Sequence, residues 1–304
     1  MDYKKLLKLA NKKFKHFTVD TIGQSVCGRK ILKWSCIFDN ARPFVLMQGS
    51  MHAREYICSD VLARFIELIE SDYYNLRDIG TPNIIIIPMV NPDGVELVKY
   101  GLKSAPRRLH NKLLDINNGN NDFSMFKANI NGVDLNNNFN AKWFRHHYSL
   151  KPSQSGFRGD CYESEVETKA LVSVTKFYNV VFTISFHSKG EEIYYNFYQK
   201  GLIKQRDKDI AQIISKATSY KIKNVQSKSS GGYKDWCVEK LKIPAVTIEV
   251  GEDSLIHPIS EKYAENIFYK VRNICYTLCD IIGVVDEYDG RKVYDRSNHF
   301  GKKS

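Results

Sequence analysis

Four short apolar runs predict buried strands. They are residues 43–48 (PFVLMQ), 83–90 (NIIIIPMV), 180–186 (VVFTISF) and 244–250 (PAVTIEV). Each run is apolar on consecutive positions and rich in β-branched residues, which is typical of strands buried on both faces of a parallel sheet. Helix-like segments lie between or after them, at 56–71, 164–178, 204–218 and 259–282. The pattern predicts an α/β fold with a mixed, mostly parallel central β-sheet flanked by helices on both faces.

The rest of the chain divides into segments of different composition. Residues 101–159 are polar and rich in Asn, Gly and Ser, so we predict a long loop, and such loops in compact domains are usually functional. Residues 1–20 predict an amphipathic N-terminal extension, residues 21–285 one folded domain, and residues 286–304 a polar C-terminal tail. A chain of 304 residues suits a single large domain of this kind.

Charge and cysteine content narrow the choice of partners and compartment. The net charge is +11, but the lysines are dispersed and no zinc-finger or RNA-binding signature occurs, so we predict no nucleic-acid partner. Seven cysteines without a Cys-x-x-Cys pair favour a reducing compartment over a disulfide framework. Neither a signal peptide nor an apolar stretch of about 20 residues is evident, so a cytoplasmic protein without a membrane span is expected. Composition does not determine the oligomeric state.

Polar residues with metal-binding or acid–base chemistry lie near or just after the ends of the apolar runs. In order along the chain, they are His52, Glu55, Asn91, Asp93, His187 and Glu249. Ligands of open α/β sheets gather beyond the carboxyl ends of the strands, so the pattern predicts one shared site. Histidine and carboxylate are zinc ligands, and catalytic zinc sites use three protein ligands. His-x-x-Glu alone is a weak signal, and the same ligands would also accept cobalt or manganese.

Six segments occur in the order of the motifs of one family. They are GSMHAREYI, VNPDGVE, NGVDLNNNF, SFHS, SSGGYKDW and TIEVG. Together they resemble the zinc metallocarboxypeptidases, which are carboxypeptidase A-like enzymes, over nearly the whole chain from about Thr21 to Asp280. The resemblance implies a zinc carboxypeptidase-like fold and makes residues 21–285 a metallopeptidase catalytic domain.

The resemblance also implies a ligand set and a reaction. One zinc ion is bound by His52, Glu55 and His187, and Asp134 orients His52 from behind. An amide bond is hydrolysed by a water that zinc activates, with Glu249 as the general base.

Further residues of the active site follow from the same resemblance. Lys127 stands nearest to the position of a family arginine that stabilises the oxyanion, so we expect it in that catalytic role. Arg54, Asn136, Asn137 and Lys234 fall at substrate-binding positions.

The sequence departs from the family at positions that select the substrate. Asn137 replaces the arginine that binds a terminal α-carboxylate, which argues against ordinary C-terminal exopeptidase recognition. Residues 226–229 (QSKS) lack the tyrosine that the family often carries in this loop. Lys234 lies where the family lines the pocket for the leaving residue, so an acidic or carboxylate-bearing residue is expected there.

One branch of the family shares the segments FKANINGVDLN and NAKW with this chain. This branch, the bacterial γ-D-glutamyl–diaminopimelate peptidases, cuts peptidoglycan stem peptides, so the predicted substrate is a soluble muropeptide. Two alternatives stay open at this point. The protein is a carboxypeptidase that releases C-terminal acidic residues, or it is a non-catalytic relative that binds zinc or peptides.

Overall fold

The four apolar runs form the centre of one sheet in the computed structural model, which describes residues 1–145, 149–223 and 230–300. Eight strands occur in these residues: β1 (Phe17–Gln24), β2 (Lys30–Cys36), β3 (Phe44–Gly49), β4 (Asn83–Ile87), β5 (Val180–His187), β6 (Glu192–Tyr194), β7 (Lys221–Lys223) and β8 (Ala245–Glu249). The order across the sheet is β1-β2-β4-β3-β5-β8-β6-β7. Strands β4, β3, β5 and β8 are parallel, whereas β2 pairs antiparallel with β1 and β4, and β6 with β8. The predicted mixed, mostly parallel sheet is confirmed.

Strand β4 shows why the central runs are apolar at every position. Its five residues are all buried, and its isoleucines alternate between two hydrophobic cores. Ile84 and Ile86 face one core, and Ile85 and Ile87 face the other. Helices cover both faces of the strand. The side chains that point to either face are therefore apolar, and the sequence does not alternate between polar and apolar residues.

Helices cover both faces of the sheet. Within the described residues the α-helices are α1 (Tyr3–Ala10), α2 (Ile57–Ser71), α3 (Tyr73–Asp78), α4 (Pro92–Tyr100), α5 (His110–Ile116), α6 (Val166–Phe177), α7 (Gly201–Thr218), α8 (Tyr233–Trp236), α9 (Ala264–Val271) and α10 (Ile274–Phe300). Helices α2, α7, α9 and α10 pack in the core on one face, and α6 and α8 in the core on the other. The predicted helix at 259–282 is two helices, and α10 continues well past its expected end.

Two secondary-structure elements cross the predicted domain boundaries. Strand β1 begins at Phe17, inside the predicted extension, and pairs with β2 as part of the sheet. Helix α10 runs through the boundary at 285 to Phe300. The division into 1–20, 21–285 and 286–304 therefore stays a prediction, and residues 301–304 lie outside the described part.

The polar region at 101–159 is more ordered than a long loop. It contains α5, and it lies over a small apolar cluster that includes Leu113, Phe123 and Phe126. Ala53, next to the predicted zinc ligands, belongs to the same cluster. The apolar residues of this region occur in short groups among many Asn, Gly and Ser residues, which is why the composition alone predicts a loop.

Two buried glutamates at the start of α6 brace this region instead of capping the helix. Asn129 donates from Nδ2 to Glu165 Oε2 at 2.7 Å and to Glu167 Oε2 at 3.3 Å, and Asn131 donates to Glu165 at 2.9 Å. Residues 164–167 (SEVE) have a sequence typical of a helix-capping arrangement, but the residue before the helix, Glu165, forms no side-chain cap. Tertiary hydrogen bonds from the loop have taken its place.

Glu167 makes stability depend on pH. Burial, reinforced by the charge of Glu165, raises the pKa of Glu167 from 4.5 to about 8. The folded state therefore binds more protons than the unfolded state between these values. The contribution of Glu167 is fully present below pH 4.5 and is lost as pH rises, at up to about 1.4 kcal/mol per pH unit.

We predict that Glu167→Gln flattens this dependence, so that the variant gains stability relative to the parent as pH rises from about 5 to about 8. The measurement is the free energy of unfolding in urea at several pH values. The exposed Glu265 provides the matched control, Glu265→Gln. Parallel pH curves for the parent and Glu167→Gln would contradict the assignment.

Candidate metal centre and active site

The turn between β3 and α2 carries two of the predicted ligands. His52 has extended backbone, and a short 3-10 helix, Ala53–Glu55, follows it. The N–H groups of Ala53 and Arg54 donate to the carbonyls of Lys127 and Phe126, both at 3.0 Å. The turn is therefore fixed to the segment that carries Lys127.

Asn91 and Asp93 do not join the site, contrary to the sequence prediction, although Asn91 supports this turn. Asn91 Nδ2 donates to the carbonyls of Met51 at 3.2 Å and Ala128 at 3.0 Å, so it ties the two loops together. Asp93 is buried against Arg29, whose Nη1 lies 2.7 Å from its carboxylate. Its hydrogen-bonding capacity is used there, away from the ligands.

His52, Glu55 and His187 converge on one point, with their ligand atoms within 4.8 Å of one another. His52 Nδ1 lies 2.9 Å from Glu55 Oε1, and His187 Nδ1 lies 2.9 Å from Glu55 Oε2. The two Nδ1 atoms are 3.1 Å apart. All three side chains are buried.

This donor set fits a zinc ion. Zinc–nitrogen bonds of about 2.0–2.1 Å in a tetrahedron separate neighbouring ligand atoms by roughly 3.3 Å, close to the spacing found here. Two imidazole nitrogens and one carboxylate are also the composition of a catalytic site with one position left for water or substrate.

Asp134 lies behind His52. Its Oδ1 is 3.2 Å from His52 Nε2, and its Oδ2 accepts a hydrogen bond from the N–H of Gly156 at 3.1 Å. A carboxylate at this nitrogen fixes the imidazole tautomer that presents Nδ1 to a metal. Within the described residues, the buried Nε2 of His187 has no hydrogen-bond partner, so the two histidines are not equivalent.

Neighbouring protein groups shift the pKa values of the three ligands. Burial and the charge of Lys127 lower the pKa of His52, whereas the carboxylates of Glu55 and Asp134 raise it. The carboxylates have the larger effect, and the pKa of His52 is raised to about 9. Burial would raise the pKa of Glu55, but His52 and His187 hold it well below its usual range. Burial lowers the pKa of His187, which favours its neutral, metal-binding form.

Glu249 stands beside the ligands because of strand pairing. It is directly opposite His187 in the register of the parallel strands β5 and β8. Burial, together with the negative charge of Glu55, raises the pKa of Glu249 to about 8, while the positive charges of His52 and Lys127 oppose the shift. A carboxyl group with a pKa near neutrality can both accept and release a proton.

Comparison with known proteins identifies the family. A model of the zinc carboxypeptidase family matches residues 3–267. The chain belongs to the zinc carboxypeptidase family. Its resemblance in sequence motifs to that family is thereby confirmed, and the buried His-Glu-His cluster is the zinc site that the family's name implies.

Relatives of this zinc carboxypeptidase family member include bacterial and animal proteins. A γ-D-glutamyl-L-diamino acid endopeptidase from Lysinibacillus sphaericus is 31% identical over 79% of this chain and 62% of its own. Carboxypeptidase A from Helicoverpa armigera superposes with a TM-score of 0.72 at 20% identity, over 95% of this chain and 73% of that one. Murein-tripeptide amidase from Escherichia coli O157 gives a TM-score of 0.55 at 20% identity, over 84% and 91%.

The chain covers only about three fifths of the length of the Lysinibacillus relative. The two structural neighbours, at this identity, establish the fold alone. Among the described residues no helix is long and apolar enough to cross a membrane, and the seven cysteines form no disulfide.

Lys127 and two asparagines line a cavity next to the metal ligands. The cavity has a volume of about 290 Å³, and its lining residues are His52, Lys127, Asp134, Asn136, Asn137, Ser155 and Gly156. Asn136 Oδ1 accepts from the N–H of Tyr233 at 3.1 Å, so the start of α8 fixes its side chain. Lys127, Asn136 and Asn137 therefore lie together beside His52.

Lys234 lines a second cavity, of about 180 Å³, on the Glu249 side. Its lining residues are Asn136, Tyr194, Asn196, Gly232, Lys234, Asp235, Thr247 and Glu249. Lys234 is only 7% exposed, so it does not point out to solvent. Its Nζ lies 2.5 Å from Asp235 Oδ1 and 3.3 Å from the carbonyl of Asn196, which holds the ammonium in place.

Three residues near the site were not predicted from the sequence. Tyr194 and Asn196 on the Lys234 side belong to β6 and the loop after it, a strand too short to give an apolar run. His257 returns towards the ligands from the loop after β8, and its buried Nδ1 has no hydrogen-bond partner in the described residues. Residues 226–229, where a tyrosine is lacking, lie outside the described residues.

We predict that Asp134→Asn lowers zinc affinity by about 10–100-fold, because an amide cannot support His52 as a carboxylate does. Zinc affinity is measured by competition with a chelator, with bound metal quantified. Asp115→Asn changes an exposed aspartate of α5 and serves as the control. Equal affinity in Asp134→Asn and the parent would show that Asp134 does not act on the ligand.

Proposed function

We propose that this protein is a zinc-dependent peptidase that hydrolyses the γ-D-glutamyl–diamino acid bond of peptidoglycan stem peptides. The observation that carries the proposal is the buried His52–Glu55–His187 cluster with Glu249 opposite His187 in the sheet. The substrate class rests on the name of the Lysinibacillus relative and on the charges of the two cavities. A muropeptide with a carboxylate-bearing leaving residue is the proposed ligand.

Glu249 would move the proton during hydrolysis. When bound, zinc supplies a Lewis acid that polarises the scissile carbonyl and makes water more acidic. Glu249 takes the proton of the attacking water and delivers it to the leaving amine. Burial and the charge of Glu55 raise the pKa of Glu249, whereas the charge of a bound zinc ion would lower it.

Lys127 would stabilise the negative charge that develops on the carbonyl oxygen. It lines the cavity beside His52, and no ion pair with a described residue neutralises it. An ammonium group in a partly water-excluded cavity supplies a point charge, although it lacks the two parallel donors of arginine.

The Lys234 cavity would receive the leaving residue. A plain acidic side chain is only partly matched there, because the ammonium is already paired with Asp235. A head group that carries both a carboxylate and an ammonium, as diamino acids do, complements both members of the pair. The absence of a second cation at Asn137 fits a substrate whose terminal carboxylate is not the main recognition element.

We predict that Glu249→Gln retains one zinc per chain but loses turnover of the tripeptide L-alanyl-γ-D-glutamyl-diaminopimelate by at least about 10³-fold. The measurement combines product analysis with metal quantification in both proteins. Turnover by the parent and none by the variant supports a metallopeptidase. Zinc and tripeptide binding without turnover in the parent would instead favour a non-catalytic binding protein.

We predict that Lys234→Gln lowers kcat/KM for the diaminopimelate tripeptide by about 10–100-fold, because a charged hydrogen bond to the leaving residue is lost. The same tripeptide with lysine in place of diaminopimelate, which lacks the distal carboxylate, should be affected much less. Lys234→Arg keeps the charge and serves as the control. Equal losses on both tripeptides would argue against Lys234 as the specificity residue.

A cytoplasmic site of action is proposed with this function. The support for it is that none of the seven cysteines forms a disulfide. Cys27 and Cys279 are partly exposed, and Cys161 is exposed. Such thiols persist in reducing compartments.

A further inference from the structure

One face of the metal site carries two cations, Arg54 and Lys127, that form no ion pair with a described residue, although Lys127 also acts on the carboxylates of Asp134 and Glu249. Arg54 and Lys127 lie on adjacent segments, because the N–H of Arg54 donates to the carbonyl of Phe126. Asn136 lines both cavities, so Lys127 and Lys234 stand on opposite sides of it. Neither Arg54 nor His257 contributes to the Lys234 cavity.

His257 belongs to the same face. Burial lowers the pKa of His257, and the nearby charges of Arg54, Lys189 and Lys127 lower it further, against the opposing charge of Glu55. The loop after β8 has thus brought His257 within the electrostatic reach of the metal ligands and of three cations. Lys189 is already engaged by Asp253, at 3.3 Å from its carboxylate, so it contributes less free charge than the other two.

Two polar atoms on this face are buried without a partner. They are Nε of Arg54 and Nδ1 of His257, and neither forms a hydrogen bond within the part of the chain that the structure describes. Unsatisfied buried polar atoms in a native protein are rare and costly, and they require an explanation. Here both lie beside an active site and both can donate to an anion.

We propose that Arg54 and His257, next to Lys127, bind a carboxylate carried by the residue that contributes the carbonyl of the scissile bond. The proposal rests on the proposed function and deepens it. Ordinary α-peptide bonds place no free carboxylate next to that carbonyl unless the side chain supplies one. A γ-linked glutamyl residue always supplies one, because its α-carboxylate is not part of the bond.

This assignment divides recognition between the two faces of the site. Arg54 has the forked donor geometry that matches a carboxylate, whereas His257 adds one directed donor. The Lys234 cavity then binds the leaving residue, and the opposite face binds the carboxylate of the residue that precedes it. A γ-linked and an α-linked glutamyl residue both carry this carboxylate three carbons from the scissile carbonyl, so this face selects for the carboxylate, and the two linkages differ in the position of the acylated nitrogen.

The test measures binding separately from turnover. The ligands are L-alanyl-γ-D-glutamyl-diaminopimelate and the same tripeptide with the glutamyl α-carboxylate converted to an amide. Zinc-loaded Glu249→Gln protein is titrated with each by calorimetry, so that hydrolysis does not interfere. We expect the carboxylate form to bind about 10–100-fold more tightly.

Variants in the same background locate the effect. Arg54→Gln and His257→Ala should each reduce the ratio of the two dissociation constants towards one, and Arg54→Lys should retain part of it. Lys216→Gln, at an exposed lysine of α7, is the matched control and should leave the ratio unchanged. Thermal unfolding and zinc content of every variant establish that the fold and metal site persist.

The outcomes separate this inference from the proposed function. Equal binding of the two ligands, or a ratio that survives both Arg54→Gln and His257→Ala, overturns the inference even where the parent enzyme cleaves the tripeptide. A ratio that collapses in these variants supports it. Failure of the parent to cleave a tripeptide that it binds with this discrimination overturns the hydrolytic function alone.

Discussion

The structure depends on burying a carboxylate between two imidazoles. Glu55 touches both His52 and His187 through separate oxygens, and each histidine comes from the end of a different strand. An unpaired buried carboxylate would cost several kcal/mol, so the neighbouring strands β3 and β5 and the turn after β3 must hold these groups together. Hydrogen bonds to Asn91 and to the carbonyls of Phe126 and Lys127 hold this turn in place. The backbone carbonyls of residues 126–128 therefore help to hold the Glu55 carboxylate in position.

Charge is arranged in layers around that centre. Carboxylates lie at the ligands and behind them, at Asp134, and cations lie on both flanks, at Lys127 and Lys234. Neither Lys127 nor Lys234 forms an ion pair with the Glu55 carboxylate, so both can face an anionic substrate. The two flanks differ, because Lys234 is paired with Asp235 whereas Lys127 has no ion pair among the described residues. A substrate with unequal charges at its two ends would bind in one direction only.

The sequence predicted the parts of this arrangement that repeat locally and missed those formed by distant contacts. The four central strands were predictable because both of their faces are apolar. His52, Glu55, His187 and Glu249 were predictable as site residues because each lies at or just after the end of such a strand. Asn91 and Asp93 share that position but face other partners, a difference that depends on side-chain direction and not on sequence. His257 was missed because it follows its strand by eight residues, and only the path of the loop returns it to the site. Glu165 and Glu167 looked like a helix cap, but Asn129 offered them better partners.

The backbone around Asn137 is tightly packed, so the replacement of the family arginine is not compensated by a shift of the chain. Gly231 has a φ of +83°, and a Cβ placed on it would lie 2.3 Å from the carbonyl oxygen of Asn137. The N–H of Phe139 also donates to the carbonyl of Gly231 at 2.8 Å, so the two segments are locked together. Backbone packed this closely cannot shift to compensate for a shorter side chain. The cavity beside Lys127 therefore lacks both the positive charge and the length of an arginine side chain, which is the group that would bind a terminal carboxylate.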